Sequence, residues 1–542
     1  MFKNVNPDKP VFCDIESHGL YLEVCMVQAY QSHWDEAQII EYPNIKKLFK
    51  FVKKHHTVFY NASYDLGTIT YQTQKALGID ITIDDVFYAA RTAYPELERY
   101  SLDILHDHLG MKYYDRDLDK KKMQMSFTYA EAKKTRKATQ DQIGYAKADV
   151  YTTHDLYYDK KIKAVIKKNK AYALDIMSMK YALVYQMTGI PVDRVALKKE
   201  RENLVEKIRS NDEYLDGLNP RSSKQVCEAL GTAKSDKDTM VRLMAGGNEL
   251  AKVVYEQRRL LKADKMLESW DFDRIHTFYS VSGAITGRFS ASGGDVGNGY
   301  VNTQQISRQY QYMFHGGDDT VTFEVDFGTA ELRAGCSIMN DETMYKELKE
   351  GKDLHIEAAK LTGVKNPTKE DRTKGKAVSF SLIFSTSWQT FKDLAYVNYG
   401  VTFSDAEAKA IHQAYHRKYR GIDNYQRWCW KNYDKVAIES AMGRRNVCRL
   451  GTDASNYATQ SSIAEATKWA VHFLVSKNPK ALKYIVSVVH DAVYLEVPKQ
   501  KFDVWSKRLE KAMLLGWKEV CKSDIFIYKD IPMPVDVEIV GE

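Results

Sequence analysis

No stretch of this sequence approaches the ~18 consecutive apolar residues of a membrane helix, and its N-terminus lacks the pattern of a secretory leader. Cysteine is scarce and dispersed: Cys13, Cys25, Cys227, Cys336, Cys429, Cys448 and Cys521 stand singly, with no Cys-x-x-Cys pair. Such an odd, scattered set argues against a disulfide framework or a structural zinc site and fits a reducing cytosol. A membrane or secreted protein is excluded on this reading. Internal repeats and long low-complexity linkers are also missing. The one glycine-rich stretch, residues 292–299, reads as a loop and lacks the Lys-Ser/Thr that closes a phosphate-binding P-loop. Charge excess is small, 79 basic minus 72 acidic residues or +7, so net charge alone does not establish a polyanionic partner.

What is present is a chain of 542 residues with 44% hydrophobic and 28% charged content, ordinary for globular protein and too long for one core. Two to four domains are expected. Lysines cluster at Lys46, Lys47, Lys50, Lys53 and Lys54, at Lys120, Lys121 and Lys122, and at Lys160, Lys161, Lys163, Lys167, Lys168 and Lys170. Solvated helix faces account for most such clusters, and nucleic-acid contact needs a site to support it. The first ~175 residues mix short strands, at 10–15 and 56–61, with helical spacing at 102–109. Residues 176–275 are almost wholly helical and charged, as at 195–218 and 250–270. Strands return at Thr320–Phe327 and at 484–497, separated by a helical stretch over 341–480.

The first chemical constellation is acidic. Asp14 and Glu16 lie two apart on an apolar strand, so period-two alternation puts both carboxylates on one face, with Cys13 and Ile15 on the other. Adjacent carboxylates repel unless a cation neutralises them, and hard oxygen ligands suit magnesium or manganese. Alone the pair is also what a solvated strand carries. It is followed by Asp65 after a second apolar strand, then by Tyr145 and Asp149, which share a helix face at i and i+4. Four acids and a tyrosine could hold two metals and orient a water for in-line attack on phosphate. This ordered set, with the stretch Tyr100 to Gly110, resembles the 3′→5′ proofreading exonucleases over residues 8–175. Ser17 stands where that family usually has threonine.

The second constellation opens on the strand Thr320–Phe327, where Val321, Phe323 and Val325 alternate as the expected buried face and Asp326 emerges opposite. Glu331 follows at an apparent helix start. Further on, two apolar runs flank His490 and Asp491, a hairpin presenting an aspartate at its tip, or simply a turn. Two aspartates from neighbouring strands could bridge two metals, as phosphoryl-transfer sites do. Arg372, Lys376, Phe380 and Phe384 then recur at steps of four, one drifting helical stripe ~18 Å long. Two cations followed by two aromatics suit the phosphates, sugar and base of a nucleoside triphosphate. An amphipathic helix with a solvated basic end has the same pattern.

Together these motifs resemble the family A DNA polymerases, the class of bacterial DNA polymerase I and its phage relatives, in collinear order over nearly the whole chain. Gly189 to Asp193, Ser222 to Gln225 and Glu256 to Arg259 look like that family's thumb. Thr286 to Arg288 and Asn302 to Gln305 look like the entry to its palm. Asp353 to His355, Tyr419 to Gly421, Gly443 to Arg445 and Asn456 to Gln460 also occupy family positions. The resemblance implies a mixed α/β and α+β multidomain fold. An RNase H-like exonuclease domain (1–175) would precede a right-hand polymerase: thumb (176–280), first part of the palm (281–342), fingers (343–439), and second part of the palm with some finger and palm helices (440–542).

It also implies roles. Asp326 and Asp491 would hold two magnesium ions at the polymerase site; Asp14, Glu16, Asp65 and Asp149 would hold two more at the exonuclease site, with manganese able to substitute. His355, Arg372 and Lys376 would neutralise the triphosphate, Lys376 counting among the catalytic groups. Phe380 would lie by the sugar, Phe384 by the templating position, and Glu331 would close the space beside the sugar's 2′ carbon. Arg288, Gln305, Arg445, Gln460 and His490 would contact the duplex or the primer terminus, and Tyr145 would orient the hydrolytic water. Primer-template DNA and dNTPs are the implied partners, with a phage helicase, primase or single-strand-binding protein as further ones. A monomer without membrane contacts is expected, in the cytoplasm of a bacterial host.

Two features narrow this expectation to a compact phage-type enzyme. Little chain precedes Asp14, which leaves no room there for a 5′ nuclease domain, and the thumb block is too short for a large processivity insert. Departures from the family pattern are Ser381 and Ser385 where glycine is usual, Phe384 where tyrosine is usual, residues 328–330 (Gly-Thr-Ala) for Ser-Gln-Ile, and Ala492 for glutamate. Three rival readings remain. One is a 3′→5′ exonuclease carrying an inactive polymerase-like DNA-binding module. Another is a non-catalytic remnant, which would tolerate loss of the six carboxylates that are all present. The third is a single-subunit RNA polymerase, which would need neither Glu331 nor the proofreading block.

Overall fold

Val11–Ser17 (β1) is the middle strand of the first sheet, paired on both edges, and both its faces are covered. Cys13 and Ile15 enter the core on one side, and Phe12 meets the rings of His154 and Tyr157 on the other, at centroid separations of 4.8 and 5.4 Å. The computed structural model describes residues 1–113, 119–128 and 137–541. With Val24–Tyr30 (β2), Gln38–Glu41 (β3), Thr57–Phe59 (β4) and Ile83–Asp85 (β5), the sheet order is β3-β2-β1-β4-β5. β1 runs antiparallel to β2 and parallel to β4, and β4 is parallel to β5. The strand expected over 56–61 stops at Phe59. Asn61 adopts a left-handed backbone (φ 71°) and turns the chain sharply into the helix Ala62–Thr73, which carries Asp65 in its first turn. The helix Gln140–Tyr158, opened by a Thr139–Gln142 capping box, crosses the Phe12–Asp14–Glu16 face of β1.

Asp159 and Asn169 each cap a helix in turn and lead the chain through Lys160–Lys168 into Lys170–Tyr185. A short antiparallel pairing, Ile190–Pro191 with Arg274–Ile275, closes the base of a helical arm. Two long helices form that arm, Arg194–Leu215 and Glu249–Glu268. Two short ones cap its tip around a small core of Leu215, Val226, Met240, Ala251 and Val254.

The second sheet is antiparallel, in the order Ile485–Val489, Ala492–Pro498, Thr320–Phe327, Val535–Ile539. The long helices Gly451–Lys477 and Phe502–Cys521 pack behind it, Phe502 meeting Phe323 edge-on at 5.2 Å. Burial of Thr320–Phe327 is not the simple alternation expected: Thr322 and Glu324 are buried as well, and Val321 is only half-buried. The helical stretch expected over 341–480 is also interrupted, by the pairing of Ile438–Glu439 with Arg445–Asn446. One continuous apolar core runs from the first sheet to the second. All seven cysteines are free. Among the described residues no helix is long and apolar enough to cross a membrane.

Candidate active sites

On the first sheet, the bend of the chain at Asn61 and the helix Gln140–Tyr158 bring four acids together. Asp14, Glu16 and Asp149 each offer a carboxylate oxygen, and these atoms lie within 4.8 Å of one another. Asp65, from the first turn of Ala62–Thr73, accepts a hydrogen bond from the Ile15 backbone N–H at 3.2 Å. Burial and the neighbouring acids push Asp14, Glu16 and Asp65 all well above the ordinary carboxylate range. Gln28, on β2 opposite Asp14, donates its amide to Asp14 and, at 3.5 Å, to Glu16. Periodicity on β1 did not reveal Gln28, although the antiparallel register that pairs it with Asp14 does. Tyr145 lies one helical turn before Asp149; burial first, then Asp149, Glu16 and Asp14, raise its phenol. A dense, mutually repelling, buried carboxylate set of this kind fits hard divalent cations.

At the second sheet, Asp326 sits near the end of Thr320–Phe327 and Asp491 at the hairpin between Ile485–Val489 and Ala492–Pro498. His490 takes the left-handed turn position (φ 53°) and is exposed. Burial, then the charge of Asp491, pushes Asp326 up to about 7; Asp491 is raised by its own burial. Asp326 Oδ1 is buried with no hydrogen-bond partner among the described residues, an orphaned acceptor that fits a cation ligand. Glu324, two residues earlier on the same face, is buried and raised by that burial. Arg308 faces all three acids and offsets their charge. Neither Glu324 nor Arg308 stands out in sequence, since one looks like a strand-edge acid and the other like a loop arginine.

Glu331 occupies the first turn of Ala330–Ile338, after Thr329 in a left-handed cap (φ 54°). Its Oε1 accepts from Arg288 Nη2 at 3.3 Å and from Gln460 Nε2 at 3.4 Å, so three of the expected site residues meet at one oxygen. Gln305, by contrast, is exposed on a short 3-10 turn. Arg445 is exposed and lines a separate cleft with Thr92, Pro95, Lys161 and Lys168 rather than joining Arg288 and Gln460. The inward-pointing arginine of that motif is Arg444, buried and paired with Asp175 at 2.7 Å.

Arg372, Lys376 and Phe380 lie on one helix, Lys369–Leu382, with Phe380 half-buried. Phe384 does not extend the stripe: the helix ends at Leu382, and Ser385 adopts a left-handed backbone (φ 62°), the conformation glycine favours. Gly375 lets this helix lie against Leu354–Ala359, because a Cβ there would fall 1.8 Å from the His355 carbonyl oxygen. Arg372 Nε donates to Asp353 at 2.6 Å, and Asp353 caps the helix bearing His355. The Lys376 ammonium makes no hydrogen bond or ion pair among the described residues, and the residue is half-buried. The His355 ring is buried, lies 2.8 Å from Ser379 Oγ, and is held down to about 4 by burial and by Arg372.

Residues 194–540 match the model of DNA polymerase family A. DNA polymerase I of Aquifex aeolicus is 29% identical over 300 residues, covering 53% of this chain and 50% of that protein. The DNA polymerase of Mycobacterium phage D29 is 26% identical over 297 residues, covering 52% of this chain and 47% of that protein. The chain thus matches about half the length of these curated relatives. The polymerase domain of Pol1 from M. smegmatis, solved with DNA primer-template and dNTP, superposes with a TM-score of 0.73 at 16% identity, covering 98% of this chain and 94% of that one. The fold is therefore the mixed α/β palm, fingers and thumb architecture.

Proposed function

The chain belongs to DNA polymerase family A, and from that premise we propose that it extends a DNA primer with dNTPs by two-metal phosphoryl transfer and removes 3′ ends at a separate exonuclease site. The observation that carries the first half is the pairing of Asp326 with Asp491 beside the Arg288–Glu331–Gln460 junction. The four-acid cluster on the first sheet carries the second half. The domain boundaries proposed are those expected from sequence: exonuclease to 175, thumb to 280, palm to 342, fingers to 439, palm thereafter.

Asp326 and Asp491 would hold two magnesium ions, and Asp14, Glu16, Asp65 and Asp149 two more. Bound there, such ions lower the pKa of an attacking hydroxyl or water and neutralise charge on the leaving oxygen. The other contributions belong to side chains. Arg372 and Lys376 grip the triphosphate, Arg372 exchanging Asp353 for phosphate. Phe380 abuts the sugar, and Phe384, in the turn beyond the helix, lies toward the templating base. Glu331, held rigid by its two donors, blocks the space beside the 2′ carbon. His355 acts as a neutral ring that packs under Phe380, with centroids 5.0 Å apart. Tyr145 positions the hydrolytic water. Gln305 and His490, both exposed, are duplex contacts, and Arg445 reaches DNA only where strands pass its own cleft. Replication of a phage genome is the proposed setting.

One observation favours the reading of an exonuclease with a silent polymerase module: Ala492 follows Asp491 where the family resemblance implies glutamate. Magnesium-dependent primer extension with the four dNTPs separates the two. Extension supports the polymerase; trimming without extension supports the alternative.

A further inference from the structure

The loop that carries Arg288 is clamped from three separate elements. It runs from Val281 to Phe289 between the paired strands Phe278–Ser280 and Ser290–Ser292. Exposed loops normally leave their carbonyls to water. Here Lys468, on Gly451–Lys477 and completely buried, donates to the carbonyls of Val281 at 2.6 Å and Gly287 at 2.7 Å. Arg444 donates to Ser282 Oγ at 2.9 Å. Arg91 donates to the carbonyls of Ser282 and, at 3.0 Å, Ala284. Lys468 and Arg444 share Asp175 as counter-ion, at 2.6 and 2.7 Å. Arg91 forms no ion pair among the described residues; its guanidinium bonds to the loop backbone and lies 5.5 Å from the Phe87 ring. Gly287 (φ 75°) is required at the end of the loop, since a Cβ would lie 2.4 Å from Arg444 Nε.

Arg91 differs from the other two in where it comes from. It sits on the helix Val86–Ala93, directly after β5 of the first sheet, within the N-terminal block. It spends both terminal nitrogens on a loop almost two hundred residues later, whose Arg288 reaches Glu331 and, by its charge, works against the upward shift of Asp491. The planar guanidinium fixes the relative placement of the two carbonyls it holds, Ser282 and Ala284, more tightly than a rotating ammonium would.

We propose that Arg91 is a positioning residue for the polymerase site: docked from the N-terminal block, it fixes the 281–289 loop and thereby the reach of Arg288 to Glu331. This rests on the polymerase reading above. In consequence, nucleotide incorporation depends on a side chain of the block that bears the four-acid cluster, through backbone contacts and not through DNA.

A double-mutant cycle on the full chain tests it: single-nucleotide incorporation by wild type, Arg91→Ala, Arg288→Ala and the double variant, with thermal unfolding of each. Arg91→Ala is expected to lower kcat/KM for the dNTP about tenfold in the wild-type background. In the Arg288→Ala background it is expected to add less than about twofold, because contacting groups in one network are not additive. A merely structural role would instead multiply through both backgrounds. If Arg91→Ala unfolds, Arg91→Lys, which keeps the charge but not the planar two-nitrogen fork, enters the same cycle with the same expected pattern. Wild-type rates in the single variant, or independent multiplication in the double, would overturn the proposal. Failure of the wild type itself to extend primers would instead overturn the polymerase reading.

Discussion

Arg288 Nη2 lies 3.3 Å from Glu331 Oε1, and the same oxygen takes a second hydrogen bond from Gln460, so the Glu331 carboxylate cannot swing aside freely. A side chain held this way makes a steric wall. Glu331→Ala is expected to admit ribonucleotides, narrowing the dNTP/rNTP ratio by roughly tenfold or more, since a site that discriminates by exclusion loses its repulsive element. Single-nucleotide kinetics with matched dNTP and rNTP measure this. An unchanged ratio would place the gate elsewhere.

The four-acid cluster carries a stability signature as well as a chemical one. Asp14, Glu16 and Asp65 are all raised, so the folded protein holds protons on them to higher pH than the unfolded chain does. Unfolding then releases protons, and without divalent cations stability is expected to fall as pH rises above the ordinary carboxylate range. Magnesium should restore it. Thermal melts with EDTA and with magnesium across that range are the measurement, and Asp14→Ala with Glu16→Ala should flatten the difference while abolishing degradation of single-stranded DNA. Magnesium-dependent degradation by the double variant would contradict the assignment.

Burial, Arg372 and Lys376 hold His355 down to about 4. Replacing it with an uncharged hydrogen-bonding side chain should therefore cost little nucleotide affinity. His355→Gln is expected to keep the dNTP KM within about threefold of wild type, whereas Arg372→Ala and Lys376→Ala each lose about tenfold, the scale of a charge-assisted hydrogen bond. A His355→Gln loss equal to the arginine's would mean the ring becomes charged on binding.

Phe380 follows Lys376 by one turn and rests half-buried against His355. A dideoxynucleotide lacks the 3′-hydroxyl, and a phenyl ring offers no replacement. Phe380→Tyr should relax discrimination against ddNTPs by about one to two decades, from a bond worth roughly 1.5–3 kcal/mol. An identical ddNTP/dNTP ratio in both proteins would place the ring away from the sugar.

Local patterns were readable wherever one element decides them. The Asp14–Glu16 face follows from strand alternation, Tyr145–Asp149 from helical spacing, and the Asp491 hairpin from two apolar runs around a turn. The stripe Arg372–Lys376–Phe380 follows from steps of four, but its end at Leu382 does not, because the left-handed turn at Ser385 leaves no mark in a residue that is not glycine. Partners across elements were hidden for the same reason. Gln28 beside Asp14 and Arg91 on the 281–289 loop depend on sheet register and docking, which single-chain periodicity does not encode. Of the neighbouring arginines Arg444 and Arg445, only the fold tells which turns inward.

The central claim is that Asp326 and Asp491 form a working phosphoryl-transfer centre distinct from the acids of the first sheet. The most direct measurement is a primer-template assay with magnesium that follows extension and 3′-end trimming together, for wild type and Asp326→Asn. Wild type is expected to extend with dNTPs. Asp326→Asn should lose at least about a hundredfold in extension, the scale of removing one preorganised charge-stabilising group, while trimming proceeds at the wild-type rate. Extension by Asp326→Asn at near wild-type rate, or loss of both activities in a protein that melts normally, would contradict the account.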